Sequence, residues 1–228
     1  MNVHLYPSVL QQSTLQGNPV RSARRVQKPQ LGWPGFDPAR PSLDILDFDH
    51  SGSVTAPGGT DPIGSRFDEA ERAINTVKKW TTTNRPKVAI IHFDQPSTGN
   101  SGIVPLISAD AQQRLRSSLC CPADGAGTSD LQPSLTEAEK MAIAHSDHDV
   151  RLTIFSDFAL TDRDPAAVFQ RLKVFPGKVH AVVLGNPPPA MLMEINVMVT
   201  TIGLTDTPGT LARAIYRSLI TTRRRARL

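Results

Sequence analysis

At 228 residues and 39% hydrophobic, the sequence can bury a sizeable core, which excludes wholesale disorder and fits one domain of ordinary size, with or without appendages. No run approaches the roughly 18 consecutive apolar residues of a membrane span, and MNVHLYPSVLQQ has no basic region followed by an apolar stretch, so neither a span nor a secretory signal is expected. The only cysteines are the neighbours Cys120 and Cys121, a spacing that suits neither a disulfide framework nor a structural zinc site, and a reduced, cytoplasmic protein is the expectation. The net charge of +4 conceals a division: residues 1–42 carry +4 and residues 207–228 carry +6, leaving 43–206 at −6. An acidic middle suits a cation site, whereas the basic ends read as solvated tails or, less specifically, as contacts for nucleic-acid phosphates.

Residues 1–42 contain six prolines and no sustained period, so they are expected to form an extended basic arm, packed through Trp33 and Phe36 if at all. The domain proper is expected over 43–221, with 222–228 as a basic tail. Leu43 to Phe48 reads as a strand running into the turn-forming cluster Asp49-His50-Ser51-Gly52-Ser53. After a Gly/Pro-rich loop, Phe67, Ala70, Ile74, Val77 and Trp80 recur at helical spacing, which predicts a helix over 66–80. Val88 to Phe93 is a buried strand, and Ile103 to Ile107 a shorter one joined to it as a hairpin through Ser97 to Gly102.

Asp110 to Leu119 and Pro133 to His145 read as helices, the second with Pro133 in its first turn. Leu152 to Ser156 and Val179 to Leu184 are apolar runs of parallel-strand type, joined by a helix that starts at Asp164-Pro165. Val197 to Ile202 is a last strand, and Thr207-Pro208 is expected to cap a final helix carrying Leu211, Ile215 and Leu219 on one face. Strands alternating with helices imply an α/β fold, a parallel sheet covered on both faces, with ligands beyond the carboxyl ends of the strands.

Three loops converge on that edge if the sheet is parallel. One carries Asp49-His50-Ser51-Gly52-Ser53, one Ser156-Asp157, and one, before a helix, Gly125-Ala126-Gly127-Thr128-Ser129-Asp130. Carboxylate and hydroxyl oxygens gathered there form a hard-oxygen site for Mg²⁺ or Mn²⁺. With only two carboxylates the bound ion stays electrophilic, and an outside carboxylate can complete its shell.

At these residues the chain resembles the von Willebrand factor A domain and its metal-ion-dependent adhesion site. The Asp-x-Ser-x-Ser motif is complete as Asp49, Ser51 and Ser53; Thr128 in GAGTSDLQPSL matches the Thr of the Gly-rich loop; and Asp157 in LTIFSDF matches the Asp ending the fourth strand. The resemblance spans about residues 43–221. It implies a Rossmann-like three-layer sandwich around a mostly parallel six-stranded sheet with one short antiparallel edge strand, metal ligation by these five residues, and non-catalytic capture of a partner protein's Asp or Glu. Phe158 stands where the family usually has Gly, Asp44 and Asp47 sit in a strand that is usually more apolar, and the Thr55–Ser65 segment is longer than usual and would overhang the site.

An enzymatic reading competes. Asp47-Phe48-Asp49 also looks like the Asp-x-Asp motif of haloacid-dehalogenase-like phosphatases, with Asp47 as nucleophile, Asp49 as acid/base, Asp157 and Asp162 as the metal end, and Lys140 and Thr98 nominated without motif support. Ser53 and the GAGTSDL loop have no role there, which favours the adhesion-type reading. Among other features, His50 reads as an exposed turn residue and His145-Ser146-Asp147-His148-Asp149 as a polar helix end rather than a zinc site. Cys120 and Cys121 are expected at a helix end tucked under the sheet, Asn186 to Pro189 as a stiff crossover, and Asp61-Pro62-Ile63-Gly64 as an ordinary turn, with a part in partner choice as the less favoured reading.

Overall fold

The structure is a computed structural model that describes residues 30–61, 66–96 and 98–224. Residues 1–29 of the arm, Pro62 to Gly64 of the predicted turn, Ser97, and Arg225 and Arg227 of the tail lie outside the described residues. The strands are β1 (Ser42–Phe48), β2 (Pro86–His92), β3 (Gly102–Pro105), β4 (Asp149–Ser156), β5 (Lys178–Leu184) and β6 (Met198–Ile202). They form one sheet in the order β3-β2-β1-β4-β5-β6, parallel except for the β2–β3 pair.

Every residue of β1 is buried, as expected of a central parallel strand covered on both sides. Its alternation sends Leu46 and Phe48 to one face and Leu43 and Ile45 to the other. The first face packs against α2 (Arg66–Lys79), α3 (Ala111–Ser118) and α7 (Thr210–Leu219) through residues such as Ile74, Leu115 and Ile215. The second packs against α4 (Gln132–Ala144), α5 (Pro165–Lys173) and α6 (Ala190–Met193) through Leu135, Val168 and Leu192. The expected three-layer sandwich is therefore present.

Chain direction switches beside β1. The chain leaves β1 for β2 and β3 on one side, then returns to place β4 on the other, so the carboxyl ends of β2, β1 and β4 lie side by side. In the ladder, His92, Phe48 and Phe155 share one rung. Asp49 follows that rung by one residue, and Asp94 and Asp157 follow it by two.

Some local expectations are corrected. The one-turn helices α1 (Gly52–Thr55) and α6 are too short to show a period and were missed. The last helix starts at Thr210 after Gly209 at φ +95°, and its free amides are capped from α2: Glu69 accepts from Gly209 N at 2.5 Å and Ala212 N at 2.9 Å. Thr207-Pro208 is not the cap, because a distant carboxylate does that work. Cys120 and Cys121 are free and exposed rather than tucked under the sheet. The tail is not wholly solvated: Arg223 is buried and donates to Asp37 at 2.9 Å, while Phe36 and Arg224 pair through their backbones at 2.9 and 3.2 Å. Trp33 and Phe36 stack edge to face at 5.1 Å but stay exposed.

Candidate metal centre

The first loop is braced from below. Asp49 N donates to Phe155 O at 2.9 Å, and the fully buried Asp49 carboxylate accepts Ser51 N at 2.8 Å on Oδ1 and Ser156 Oγ at 2.6 Å on Oδ2. The Asp thus spans β1 and β4 and turns the chain into α1, which carries Ser53 two residues past Ser51. The Ser51 and Ser53 hydroxyl oxygens lie 3.0 Å apart. Burial and then the charge of Asp157 raise the Asp49 pKa, against hydrogen bonds from Ser156 and Ser51 that lower it. Among the described residues neither Asp49 nor Asp157 has a cationic side chain within ion-pairing distance.

The segment after α1 reaches across to the second loop. Thr60 N donates to Ser53 O at 2.8 Å and Thr60 Oγ1 donates to Asp157 Oδ2 at 3.3 Å. Gly185, at φ +71°, leaves room for this crossing, since a Cβ there would lie 2.7 Å from Thr60 O. Asp157 Oδ1 accepts Ala159 N at 3.0 Å, and Phe158 holds φ +56° with its ring in the core. The Phe158 backbone adopts the conformation that Gly would take freely.

The third loop is joined through a residue that sequence reasoning missed. Asp94, with φ +61°, accepts Thr128 N at 3.2 Å on Oδ2 and the Thr128 hydroxyl on Oδ1, and its Oδ2 lies 3.3 Å from His50 Nε2. His50 is buried, not an exposed turn residue, because Gly125 leaves it space: a Cβ at Gly125 would lie 2.3 Å from His50 Nε2. A signal for Asp94 existed, since Phe93-Asp94 ends a strand just as Phe48-Asp49 and Ser156-Asp157 do. The structure thus gathers Asp49, Ser51, Ser53 and Asp157 through direct contacts and Thr60, and ties Thr128 to them through Asp94 and His50.

The sequence matches no protein-family model and no curated protein. Solved structures do share the architecture. The pilus adhesin SpaC of Lactobacillus rhamnosus GG aligns over 82% of this chain and 31% of its own, with a TM-score of 0.64 and 16% identity. A von Willebrand factor type A protein from Catenulispora acidiphila aligns over 80% of this chain and 43% of its own, at 0.57 and 13% identity. The chain has the von Willebrand factor A fold. Proximal thread matrix protein 1 of the mussel byssus, with zinc in its metal-ion-dependent adhesion site, aligns over 82% of this chain and 48% of its own, at 0.54 and 14% identity. The chain spans less than half the length of each of these three proteins.

The donor set of the domain fits a divalent cation. All five candidate ligands offer oxygen, and the 3.0 Å between the Ser51 and Ser53 hydroxyls equals the distance between adjacent ligands of an octahedron with bonds of about 2.1 Å. Among the described residues no three His, Cys, Asp or Glu side chains gather for a metal, so any cation there depends on hydroxyls. Beside the rim lies a groove of about 870 Å³ lined in part by Pro57, Gly58, Arg66, Phe67 and Cys121. Arg66 is buried against Phe67 at 4.6 Å, and 3.8 Å from Asp61.

The groups that a phosphatase would need are engaged elsewhere. Asp47 is fully buried and accepts Ser134 Oγ at 2.7 Å, and its pKa is pushed up to about 8, chiefly by burial. Asp162 caps α4 through Leu131 N at 3.0 Å and Gln132 N at 2.8 Å. Lys140 lies 3.6 Å from Glu137 on the outward side of α4, and Thr98 donates to Asp124. At the far end of the sheet His148 Nδ1 meets Asp147 at 2.7 Å, within a polar helix end as expected.

Proposed function

We propose that this domain captures another protein through a divalent cation and performs no catalysis. Asp49, Ser51, Ser53, Thr128 and Asp157 would hold Mg²⁺ or Mn²⁺, and the bound ion would supply a Lewis-acidic position for a partner Asp or Glu. The observation that carries this reading is the electrostatic state of the rim: buried Asp49 faces the charge of Asp157 with only amide and hydroxyl donors around it. Two carboxylates in that setting are costly without a cation. The structures of similar fold include a pilus adhesin and a byssal thread matrix protein with a zinc-occupied metal-ion-dependent adhesion site, which supports the same reading.

The protein's own residues have definite tasks in this scheme. Ser156 and the Ser51 amide orient the Asp49 carboxylate, Thr60 restrains Asp157, and the two serines present their oxygens at octahedral spacing. The test is partner capture from extract by the immobilised domain, followed by binding of the recovered partner with Mg²⁺ or with excess chelator. Capture lost in chelator and in Ser53→Ala, with an unchanged circular dichroism spectrum, is expected. A partner bound equally well in chelator overturns the reading.

A further inference from the structure

Thr128 has little freedom in how its hydroxyl is used. A hydroxyl has one proton to give and two lone pairs to receive. Here the proton goes to Asp94 Oδ1, and Asp130 N, at 3.3 Å, takes one lone pair. One lone pair is left for a cation. Asp94 also accepts the Thr128 amide at 3.2 Å, so the carboxylate grips both backbone and side chain of the same residue.

Asp94 is itself held in place for this. It sits at φ +61° and is followed by Gln95 at φ +48°, a left-handed pair that L residues adopt only when their surroundings compel it. Its backbone N donates to Asp130 O at 3.2 Å, and His50 Nε2 lies 3.3 Å from Oδ2 on the side of the Asp49-Ser51 loop. The strand ladder puts Asp94 level with Asp157, two residues beyond the same rung. One carboxylate therefore links the loops after β1 and β2 to the loop before α4.

We infer that Asp94 is a positioning residue of the cation site: by accepting the hydrogen bond of the Thr128 hydroxyl it fixes the orientation of that hydroxyl and raises the basicity of its remaining lone pair toward the metal. The inference rests on the reading of the rim as a cation site. Groups that orient a metal ligand in this way typically contribute about 10–100-fold to metal affinity. The five residues of the adhesion-site motif do not include this position.

The experiment measures Mn²⁺ affinity by the electron paramagnetic resonance signal of free Mn²⁺ for the wild type, Asp94→Ala, Thr128→Ala and the double variant, with folding followed by circular dichroism. Asp94→Ala is expected to weaken Mn²⁺ binding about 10–100-fold, and to add less than about twofold in the Thr128→Ala background, because it acts through Thr128. Asp94→Asn, which keeps one accepting oxygen, should fall between wild type and Asp94→Ala, and it carries the same cycle should the alanine variant not fold. Additive losses overturn the inference, as does wild-type affinity in Asp94→Ala or Asp94→Asn. If the wild type itself does not bind Mn²⁺, the cation reading falls with it; if the wild type binds and the Asp94 variants bind equally well, only the role of Asp94 is lost.

Discussion

Buried carboxylates occur in two parts of this molecule, and they are treated differently. Near the amino ends of the strands, Asp44 on β1 lies 3.3 Å from its ladder partner Arg151 on β4, and Asp37 lies 2.9 Å from Arg223. Burial alone would raise Asp37, but hydrogen bonds from Thr82 and the charge of Arg223 outweigh it and hold the carboxyl below its ordinary range. At the carboxyl ends, Asp49 and Asp157 have hydroxyl and amide donors and each other's charge. The first arrangement is neutral as built, whereas the second, under the proposed function, would be completed by a cation from outside. Removing a built-in partner should therefore damage the fold, and removing a rim ligand should damage only binding.

The largest effect is expected where the pair is internal. Arg151→Met leaves Asp44 buried without its cation and should cost about 3–5 kcal/mol in urea denaturation, with or without divalent ions present. A loss below about 1 kcal/mol would mean that the amino-end pair is not what keeps Asp44 tolerable.

Next in size is the response of the rim to metal. Saturation at about 100 times the dissociation constant should stabilise the folded domain by about 2.7 kcal/mol. Ser53→Ala and Thr128→Ala should remove most of that gain at the same metal concentration while leaving metal-free stability close to that of the wild type. A melting temperature that is the same in Mg²⁺, Mn²⁺ and chelator would remove the distinction between the two regions.

The contrast also shows how far the sequence could be read. Asp49, Ser51, Ser53, Thr128 and Asp157 are local signals at strand ends or in a Gly-rich loop, and the strand-helix alternation places those loops on one edge. What it could not show is which buried carboxylate finds which donor. Glu69 capping α7, Arg223 under Asp37 and Asp94 on Thr128 join residues 140, 186 and 34 positions apart. Such pairs follow from packing, not from spacing. His50 was misjudged for the same reason, since its burial depends on Gly125 lying over it.

The amino-end cluster should also give a pH response with two opposed parts. His180, buried on β5 and 2.9 Å from Thr200 Oγ1, has its pKa lowered to about 4 by burial and by the charge of Arg151. Its neutral form is favoured by folding, so this contribution is present above the unfolded pKa of about 6.5 and is lost as pH falls toward 4. Asp44 is raised to about 6 by burial, against the charge and hydrogen bond of Arg151. The folded state then holds a proton that the unfolded state releases, so this contribution is present below about pH 4 and is lost as pH rises through 6. Relative to wild type, His180→Gln should make stability fall more steeply between pH 4 and 6, and Asp44→Asn should make it rise more steeply, each by on the order of 1–3 kcal/mol across that window. Parallel curves for all three proteins would show that neither group titrates with folding.

The smallest effect probes Thr60, which donates from the segment after α1 to Asp157. Thr60 Oγ1 reaches Asp157 Oδ2 and Ser53 O, both at 3.3 Å, while its amide independently holds Ser53 O at 2.8 Å. Thr60→Val keeps the shape and the amide contact but removes the hydroxyl, so the fold should lose only about 0.5–1.5 kcal/mol. Asp157 would then lose its hydroxyl restraint, and metal affinity should weaken severalfold, less than for any ligand substitution. Because the amide still anchors the crossing segment, a loss of affinity as large as that of Ser53→Ala would mean that Thr60 contacts the cation itself. Unchanged affinity would mean that Asp157 is oriented by the Ala159 amide alone, and that the long segment after α1 covers the rim without shaping it.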